Sequence, residues 1–294
     1  MRLAISGASG FLGQAVQREA KRRGWEVVPI VRRPMPGAIL WDAKSRFANI
    51  EDLETVDAVI HLAGESVFGF WTEKKRKTMV ESRILSTKLL AKSLATCKHP
   101  PKVLVSISAV GYYGDTGEKW AVPSLPPGNT FLGHLCKQWE MAASSAEEVG
   151  IRVTHPRLGL VMDPSGGVLH AMTQAFRWGV GAIFGSGEQW ISWIGREDAA
   201  IALCLAVSDE RVQGAWNLVS PEPIRQRVFA KLLADALHRP LWLRIPTCIL
   251  SQLGGEFARD LLLASCRAEP ALFLKQDFPW KTKTIQEFID FIKV

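Results

Sequence analysis

Apolar residues follow two patterns along the first two thirds of the chain, short continuous runs and stripes at helical spacing. A continuous run predicts a strand that is covered on both faces, as in a parallel sheet. A stripe with apolar residues three and four positions apart predicts an amphipathic helix, such as one from Leu12 to about Gly24. The runs predict strands over residues 2–6, 25–31, 57–62, 103–107, 152–156 and 215–219.

Further helical stripes lie between and after these predicted strands. They predict helices over residues 82–94, 132–149, 168–177, 199–207 and 228–237. Asp198 directly precedes the fourth of these segments, so we predict that its side chain caps that helix. Strands that alternate with helices pair in parallel through right-handed crossovers. The predicted fold class is therefore α/β, with a doubly wound parallel sheet of the Rossmann type.

The pattern changes after about residue 165. A glycine-rich stretch with tryptophans covers residues 179–193, and a short linker with two prolines covers residues 220–223. We predict a nucleotide-binding domain with part of the substrate lobe over residues 1–220. A smaller C-terminal domain on the substrate side is predicted over residues 240–294. The mixture of glycine and aromatic residues in 179–193 favours a pocket that closes over a small molecule.

A glycine loop joins the first predicted strand to the first predicted helix. Glycine allows a tight turn and a close approach of the backbone, and the helix N-terminus offers free N–H groups to phosphates. We therefore predict that this loop binds the pyrophosphate of a dinucleotide, although a purely structural glycine turn remains an alternative. The predicted binding residues are Gly7, Ser9, Gly10, Phe11, Leu12 and Gly13.

Two arginines, Arg32 and Arg33, follow the second predicted strand. Proteins that prefer NAD carry Asp or Glu here, about 20 residues beyond the loop, to hold the ribose hydroxyls. Guanidinium groups instead match a 2′-phosphate through charge-assisted hydrogen bonds. The sequence therefore predicts NADP as the cofactor, with the alternative that one or both arginines are merely solvated.

Small and polar residues end the third and fourth predicted strands. Because these ends lie at the ligand-binding edge of such a sheet, we expect them to contact the cofactor. For Glu65 a role as general base and a role as a cap of the following segment both remain open. The residues concerned are Leu62, Ala63, Gly64 and Glu65 after the third strand, and Ser106 in the fourth.

Signatures spread over almost the whole chain resemble the extended short-chain dehydrogenase/reductase superfamily. More narrowly, they resemble its atypical epimerase-family subgroup, described as nucleoside-diphosphate-sugar epimerase-like. This resemblance implies an NADP-binding Rossmann domain, a small C-terminal domain, and contacts of Arg83 and the Arg32 region with the cofactor. The matching segments are 7–13, 62–65, Trp71 with Lys74, 82–83, 108–114, 139–140, 157–159, 166–167, 185–187 with Gln189, and 192–194.

Two positions depart from the subgroup. Gly195 stands where a histidine usually follows Trp-Ile, and Ser265-Cys266 replaces a pair that contains a glycine. Both positions are expected on the substrate side. The resemblance therefore implies the fold and the cofactor, and leaves the substrate undefined.

The superfamily's usual reaction needs a tyrosine and a lysine four positions apart on one helix face. This chain has two tyrosines and neither starts a Tyr-x-x-x-Lys motif. Leu132 and Cys136 occupy the two slots, and Lys137 comes one position late.

Three residues remain as catalytic candidates: Ser108, Tyr112 and Tyr113. The alternative is that Ser108 satisfies backbone groups and that the tyrosines form the wall of a pocket. Cys136 is expected to behave as a small buried hydrophobe, and His61 and His134 are expected to be structural.

Charge and composition argue against nucleic-acid binding, a membrane span and a metal site. The net charge is +7, but the basic runs are short and lack interleaved aromatics, so nucleic acid is not an expected partner. No apolar stretch is long enough for a membrane span, and the N-terminus does not resemble a signal peptide. The five cysteines form no C-x-x-C pair, which favours free thiols in the cytoplasm and no metal site.

Three hypotheses about function follow. The first is an NADP(H)-dependent oxidoreductase or epimerase-like enzyme on an unidentified small substrate, for which a sugar-like molecule is one option. The second is a non-catalytic NADP-binding or redox-sensing protein, and the third is a module for a nucleic-acid or protein partner. The sequence predicts neither the substrate nor the oligomeric state.

Overall fold

The structure is a computed structural model that describes residues 1–42, 46–47, 50–275 and 278–290. Its strands are β1 (Arg2–Ser6), β2 (Glu26–Val31), β3 (Ile39–Asp42), β4 (Arg46–Phe47), β5 (Ala58–His61), β6 (Val103–Ser106), β7 (Ser108–Ala109), β8 (Trp120–Ala121), β9 (Arg152–Leu158), β10 (Leu160–Asp163), β11 (Ala182–Phe184), β12 (Trp190–Ile191), β13 (Trp193–Gly195), β14 (Gly214–Leu218), β15 (Ile224–Arg225), β16 (Leu243–Ile245) and β17 (Arg267–Ala268).

Its helices are α1 (Phe11–Arg22), α2 (Glu73–Val80), α3 (Ser86–Ala95), α4 (Phe131–Met141), α5 (Ser144–Glu147), α6 (Gly167–Arg177), α7 (Arg196–Ser208), α8 (Gln226–Ala236), α9 (Thr247–Phe257), α10 (Ala271–Leu274) and α11 (Ile285–Asp290). A π-helical turn, Glu81–Leu85, joins α2 to α3, and another, Ala258–Leu263, follows α9. Short 3₁₀ helices cover Ile50–Thr55 and Val110–Tyr113.

The main sheet has the order β14-β9-β6-β5-β1-β2-β3-β4. All neighbouring pairs in it are parallel except β3 with β4. The chain moves outward in one direction from β1 to β3 and in the other from β5 to β14, so the order reverses beside β1. This is a doubly wound Rossmann-type sheet, which confirms the predicted fold class.

The sheet is covered on both faces because buried residues alternate along its strands. Leu3 and Ile5 of β1 belong to a core that includes residues of α1 and α7. Ala4, between them, belongs to a second core that includes residues of α3 and α5. This period of two places one layer of helices on each face, which leaves the carboxyl edge of the strands for a ligand.

Residues from the second half of the chain form a third core around Trp193 and Phe229. Short strand pairs surround it: β10 with β13, β11 with β16, and β12 with β15. Residues in the range 240–294 contribute to more than one core, since Phe288 packs in the third core and Phe273 in the first. The predicted division at residues 220 and 240 stays a prediction.

Two local predictions were wrong. Asp198 does not cap a helix, because α7 already begins at Arg196. The buried Asp198 carboxylate instead accepts hydrogen bonds from the backbone of Lys281 and from the backbone and hydroxyl of Thr282, at 2.8–3.1 Å. The predicted helix over residues 132–149 is interrupted after Met141, so α4 and α5 are separate. In the described part of the chain, no helix combines the length and the apolar character that crossing a membrane needs.

Candidate functional site

The glycine loop lies at the carboxyl end of β1, where β1 separates β2 from β5. Gly7 has a φ of +72° and packs against the backbone of Leu62 and Ala63, so a Cβ there would lie 3.0 Å from both. A Cβ at Gly13 would overlap the carbonyl oxygen of Gly7. The loop is therefore built on glycines that close it against α1 and the end of β5.

The free N–H groups at the N-terminus of α1 have neither a capping side chain nor an acidic residue in the first turn. Gly10 is the N-cap and provides no side-chain hydrogen bond, and the first turn holds no acidic residue. Ser9 and Gly10 are exposed, and Phe11 and Leu12 are half-buried. Free N–H groups and the helix dipole favour an anion at this position. The residues of the loop thus fit the phosphate group that the sequence predicts there.

The side chain of Phe11 contacts the second half of the chain. Gly166 and Gly167, before and at the start of α6, lie against its ring so closely that a Cβ on either would come within 2.9 Å of it. The buried Arg196 guanidinium lies 4.4 Å from the ring centroid and donates to Ser165. These contacts attach the glycine loop to the β10–α6 connection, which the sequence did not predict.

Arg32 and Arg33 are exposed directly after β2, on the side of β1 away from β5. In the described residues neither guanidinium has an ion-pair or hydrogen-bond partner. Glu65 follows β5 and is attached to α2, because the ammonium group of Lys75 in α2 binds its carboxylate at 2.6 Å. That hydrogen bond, with the charges of Arg83 and Arg32, lowers the pKa of Glu65 below its ordinary value. This location fits the adenosine half of a dinucleotide.

His61 and Ser106 are fully buried neighbours at the ends of β5 and β6. Nδ1 of His61 lies 2.6 Å from the Ser6 hydroxyl, and burial lowers the pKa of His61 to about 4. The hydroxyl of Ser106 has no hydrogen-bond partner within the described residues. His61 is therefore a neutral group inside the sheet edge, and Ser106 lies beside it.

Ser108 and Tyr113 take part in a buried network around an ion pair. Glu140 and Arg157 form two hydrogen bonds of 2.8 and 2.9 Å, and the Ser108 hydroxyl donates to Glu140 at 2.7 Å. The Tyr113 hydroxyl donates to Asn217 at 2.6 Å and accepts from Arg157 at 3.0 Å. Burial raises the pKa of Tyr113 to about 12. The hydroxyls of Ser108 and Tyr113 thus have protein partners, and their catalytic roles stay predictions.

Tyr112 differs from its neighbour Tyr113. It is half-buried, and its hydroxyl has no hydrogen-bond partner within the described residues. The Arg157 guanidinium lies 3.5 Å from its ring centroid. Tyr112 therefore has a phenol that is still available to a ligand.

The two slots of the absent Tyr-x-x-x-Lys motif are buried on α4. Burial raises the pKa of Cys136 to about 12, so its thiol stays protonated. Leu132 packs with Leu135 and the buried Met79. The neighbouring Lys137 is exposed. Helix α4 therefore presents neither a phenol nor an ammonium group in these slots.

A cavity of about 990 Å³ lies beside the N-terminus of α4. Asp260, from the π-helical turn after α9, accepts a hydrogen bond from the backbone N–H of Leu132 at 3.2 Å and closes one side. Side chains with hydroxyl, amide, imidazole and carboxyl groups dominate the lining. Its residues are Asp115, Gly117, Glu118, Asn129, Thr130, Phe131, His134, Ser186, Glu188, Gln189, Thr247, Ser251, Glu256, Arg259, Asp260, Leu263, Ala264 and Ser265.

Known proteins are similar to this chain in sequence and in structure. The sequence profile of the NAD dependent epimerase/dehydratase family matches residues 3–218. The chain belongs to this family. The epimerase family protein Mb2239 of Mycobacterium bovis is 33% identical over 292 residues, which are 98% of this chain and 96% of that protein. The mouse epimerase family protein SDR39U1 is 35% identical over 267 residues, 89% of each chain.

A solved structure supports the same relationship. The human epimerase family protein SDR39U1 (isoform 2), crystallised with NADPH, superposes with a TM-score of 0.88 at 30% identity. The match covers 100% of this chain and 99% of the human chain. The resemblance to an epimerase family that the sequence analysis identified is thus confirmed.

The two departures from the epimerase-family subgroup lie in well-packed surroundings. A Cβ at Gly195 would lie 2.6 Å from the Thr282 hydroxyl and 3.3 Å from an Asp198 oxygen, so a histidine has no room there. The Ser265 hydroxyl donates to the Gly117 carbonyl and accepts from the backbone of Trp190. Gly195 is therefore packed against Thr282 of the C-terminal segment, whereas Ser265 lies in the lining of the cavity.

Several site residues were not predicted from the sequence. Glu140 and Arg157 lie in quoted motifs, but nothing in their spacing indicates that they pair. Lys75 and Arg76 pair with Glu65 and Glu256, and the sequence did not predict either pair. Within the described residues, no group of three or more His, Cys, Asp and Glu side chains is arranged to hold a metal ion.

Proposed function

We propose that this protein binds NADP(H) at the carboxyl edge of its sheet and acts as an oxidoreductase or epimerase-like enzyme on a small polar substrate. The observation that carries the proposal is the uncapped N-terminus of α1 behind a glycine loop, together with Arg32 and Arg33, which have no partner among the residues that the structure describes. The N–H groups suit the pyrophosphate, and the guanidinium groups suit a 2′-phosphate. The human relative crystallised with NADPH supports the same choice of cofactor.

The substrate is proposed to occupy the cavity beside α4. Five of its lining residues are carboxylic acids and one is an arginine: Asp115, Glu118, Glu188, Glu256, Asp260 and Arg259. Three arginines nearby are already paired with lining carboxylates, namely Arg225 with Glu118, Arg227 with Glu188, and Arg76 with Glu256. Among the lining residues this leaves Arg259 as the one arginine or lysine that could bind a diphosphate. We therefore favour an uncharged, hydroxylated substrate over a nucleoside-diphosphate sugar.

The bound cofactor supplies hydride transfer. Tyr112 is our candidate for the proton-carrying group, since its hydroxyl has no partner in the described part of the chain, whereas those of Ser108 and Tyr113 have one. Ser108 and Tyr113 then hold Glu140 and Arg157 in place behind Tyr112. This division of roles replaces the tyrosine and lysine that α4 does not carry.

A second candidate function is a non-catalytic NADP(H)-binding or redox-sensing protein. The burial of Leu132 and Cys136 favours it, because α4 offers no group for proton transfer in these two slots. Under this function Tyr112 has no chemical role. Oxidation of bound NADPH by a panel of sugars, ketones and aldehydes discriminates the two candidates.

The test of the proposal is a titration of the purified protein with NADPH and NADH, followed by the fluorescence of the reduced nicotinamide. We expect saturable binding with clear preference for NADPH. Equal affinity for the two cofactors contradicts the choice of NADP(H), and lack of binding to either contradicts the whole proposal. If a substrate is found, Tyr112→Phe should lower kcat with little change in the affinity for NADPH, and full activity of that variant contradicts its role.

A cytoplasmic location belongs to the same proposal. The five cysteines are free thiols in the structure, and three of them, Cys97, Cys136 and Cys204, are buried. Buried unpaired thiols are typical of proteins in a reducing compartment. Cell fractionation followed by immunoblotting tests this location.

A further inference from the structure

Gln189 directly precedes β12 and belongs to the lining of the cavity beside α4. The residue is buried, with only 7% of its surface exposed. Its Nε2 group donates to the backbone carbonyl of Phe184 at 3.2 Å and to that of Leu262 at 2.7 Å. Phe184 ends β11, and Leu262 belongs to the π-helical turn after α9. The amide of Gln189 therefore connects these two elements.

These two bonds fix the orientation of the Gln189 amide. A side-chain amide has two N–H donors on its nitrogen and an acceptor on its oxygen. Both donors are in use, and their partners are carbonyl oxygens. A reversed amide would turn its own oxygen towards two acceptors, so the network assigns the nitrogen to this side. The polar atom that remains is Oε1, which can only accept.

Oε1 of Gln189 is available to a ligand. Within the described residues it has no hydrogen-bond partner. The side-chain atoms that are both fully buried and unpartnered in this part of the chain belong to other residues, so Oε1 is not sealed in. Because Gln189 lines the cavity, the access to this oxygen comes from there. A donor on a ligand completes its hydrogen bonding, whereas an acceptor in the same place is repelled.

Gln226 is a second buried glutamine and differs in this respect. Its Nε2 donates to the carbonyl of Ala182 at 3.1 Å, and its Oε1 accepts from the backbone N–H of Phe184 at 3.2 Å. Both polar atoms of Gln226 therefore hold β11, and it does not line the cavity. Gln189 uses only its nitrogen in this way, so a purely structural role does not account for its oxygen.

We propose that Oε1 of Gln189 accepts a hydrogen bond from a hydroxyl group of the substrate and so determines which substrates the cavity takes. This inference rests on the proposed function, which places an uncharged, hydroxylated molecule there. A phosphate or carboxylate oxygen at this position would face another acceptor. A substrate without the hydroxyl leaves Oε1 without a partner, and a site built on such a bond rejects the analogue that lacks it.

The test uses the protein saturated with NADPH and calorimetric titration with D-glucose, D-galactose and D-mannose. The sugar that binds most tightly is then compared with its monodeoxy analogues, one for each hydroxyl. We expect the unchanged protein to bind one analogue at least about tenfold more weakly than the parent sugar. Gln189→Met has a side chain of similar length without the oxygen. It should bind the parent sugar and that analogue within about twofold of each other.

Gln226→Met is the matched control, because it removes a buried amide that bonds β11 and does not line the cavity. We expect it to lower the free energy of unfolding and to keep the full ratio between sugar and analogue. If Gln189→Met does not fold, as judged by thermal unfolding, a crystal structure of the unchanged protein with NADPH and the sugar takes its place. That structure should show a sugar hydroxyl within hydrogen-bond distance of Oε1.

Three results overturn the proposal while the proposed function stands: an unchanged protein that discriminates against none of the analogues, a Gln189→Met variant that keeps the full ratio, or a bound sugar that does not contact Gln189. Binding of NADPH without binding of any of the three sugars contradicts the proposed substrate class, and this inference with it. Failure to bind NADPH contradicts the proposed function itself.

Discussion

The guanidinium of Arg157 and the carboxylate of Glu140 face each other through two hydrogen bonds in the protein interior, with side chains only 4% and 13% exposed. Strand β9 provides the arginine and α4 the glutamate, so the pair ties a central strand to the helix that borders the candidate site. The bonds to Glu140 raise the pKa of Arg157 above its ordinary value, against the effect of burial. The Arg157 guanidinium therefore stays charged at neutral pH.

Arg157→Met should destabilise the protein by about 3–5 kcal/mol, because it leaves a buried carboxylate without its partner. The free energy of unfolding from urea denaturation measures this loss. Glu140→Gln in the same background should cost much less than it does alone, since the two groups are coupled. The pair Arg18–Glu197, with side chains 56% and 43% exposed, provides the control. Arg18→Met should lower the free energy of unfolding by less than about 1 kcal/mol. A loss in Arg157→Met that is as small as the loss in Arg18→Met contradicts the prediction.

The sequence contains most of the information on the sheet, because continuous apolar runs mark strands that are covered on both faces. β1 coincides with its prediction, and β5, β6, β9 and β14 overlap theirs. Strands such as β3 and β10 were not predicted, because they are short and tertiary pairing determines them. The break after Met141 has no proline or glycine to indicate it in the sequence.

The candidate site also has a part that the sequence predicts and a part that depends on tertiary contacts. The glycine loop is local, since a strand, a turn and a helix follow one another along the chain. The network of Ser108, Tyr113, Glu140, Arg157 and Asn217 joins residues far apart in sequence. Which hydroxyl is free and which is bonded depends on these tertiary contacts, so the three candidates were indistinguishable before the structure. Arg83 could be named from its motif, while its position against Trp139 is visible only in the fold.

Gly13→Ala should abolish binding of NADPH, because a Cβ there overlaps the carbonyl of Gly7 and the loop cannot close on α1. Titration measures the binding, and circular dichroism measures whether the fold survives. Gly24→Asn is the control, since Gly24 has a φ of +75° with open space around it and asparagine tolerates that conformation. We expect the control to bind NADPH normally. Normal NADPH binding by Gly13→Ala is incompatible with the assigned role of the loop.

The double variant Arg32→Ala/Arg33→Ala should weaken NADPH about 10- to 100-fold and leave NADH almost unchanged, because only the former carries the 2′-phosphate. The ratio of the two dissociation constants is the measured quantity, so a general loss of stability does not imitate the effect. Arg177→Ala, at the exposed end of α6, controls for the loss of surface charge. A ratio that stays at its original value means that the two arginines are merely solvated.

Protonation of His61 should lower the stability of the protein in mild acid. Its pKa is about 4 in the folded chain, where desolvation by burial disfavours the charged form, and 6.5 is the ordinary value that the unfolded chain retains. Between these values the unfolded state binds a proton that the folded state does not. Stability is therefore fully present above about pH 6.5 and is lost as the pH falls towards 4, by ~3 kcal/mol in total.

The measurement is the slope of the unfolding free energy between about pH 5 and 7. His61→Gln removes the titrating group, so the variant should have a shallower slope, whatever the mutation costs at neutral pH. Part of the slope should remain, because burial also lowers the pKa of His155. His170→Gln, at an exposed imidazole, should keep the full slope. If His61→Gln and the unchanged protein lose stability in parallel over this range, the ring of His61 is already charged or reaches solvent, and its assignment as a neutral group between Ser6 and Ser86 is wrong.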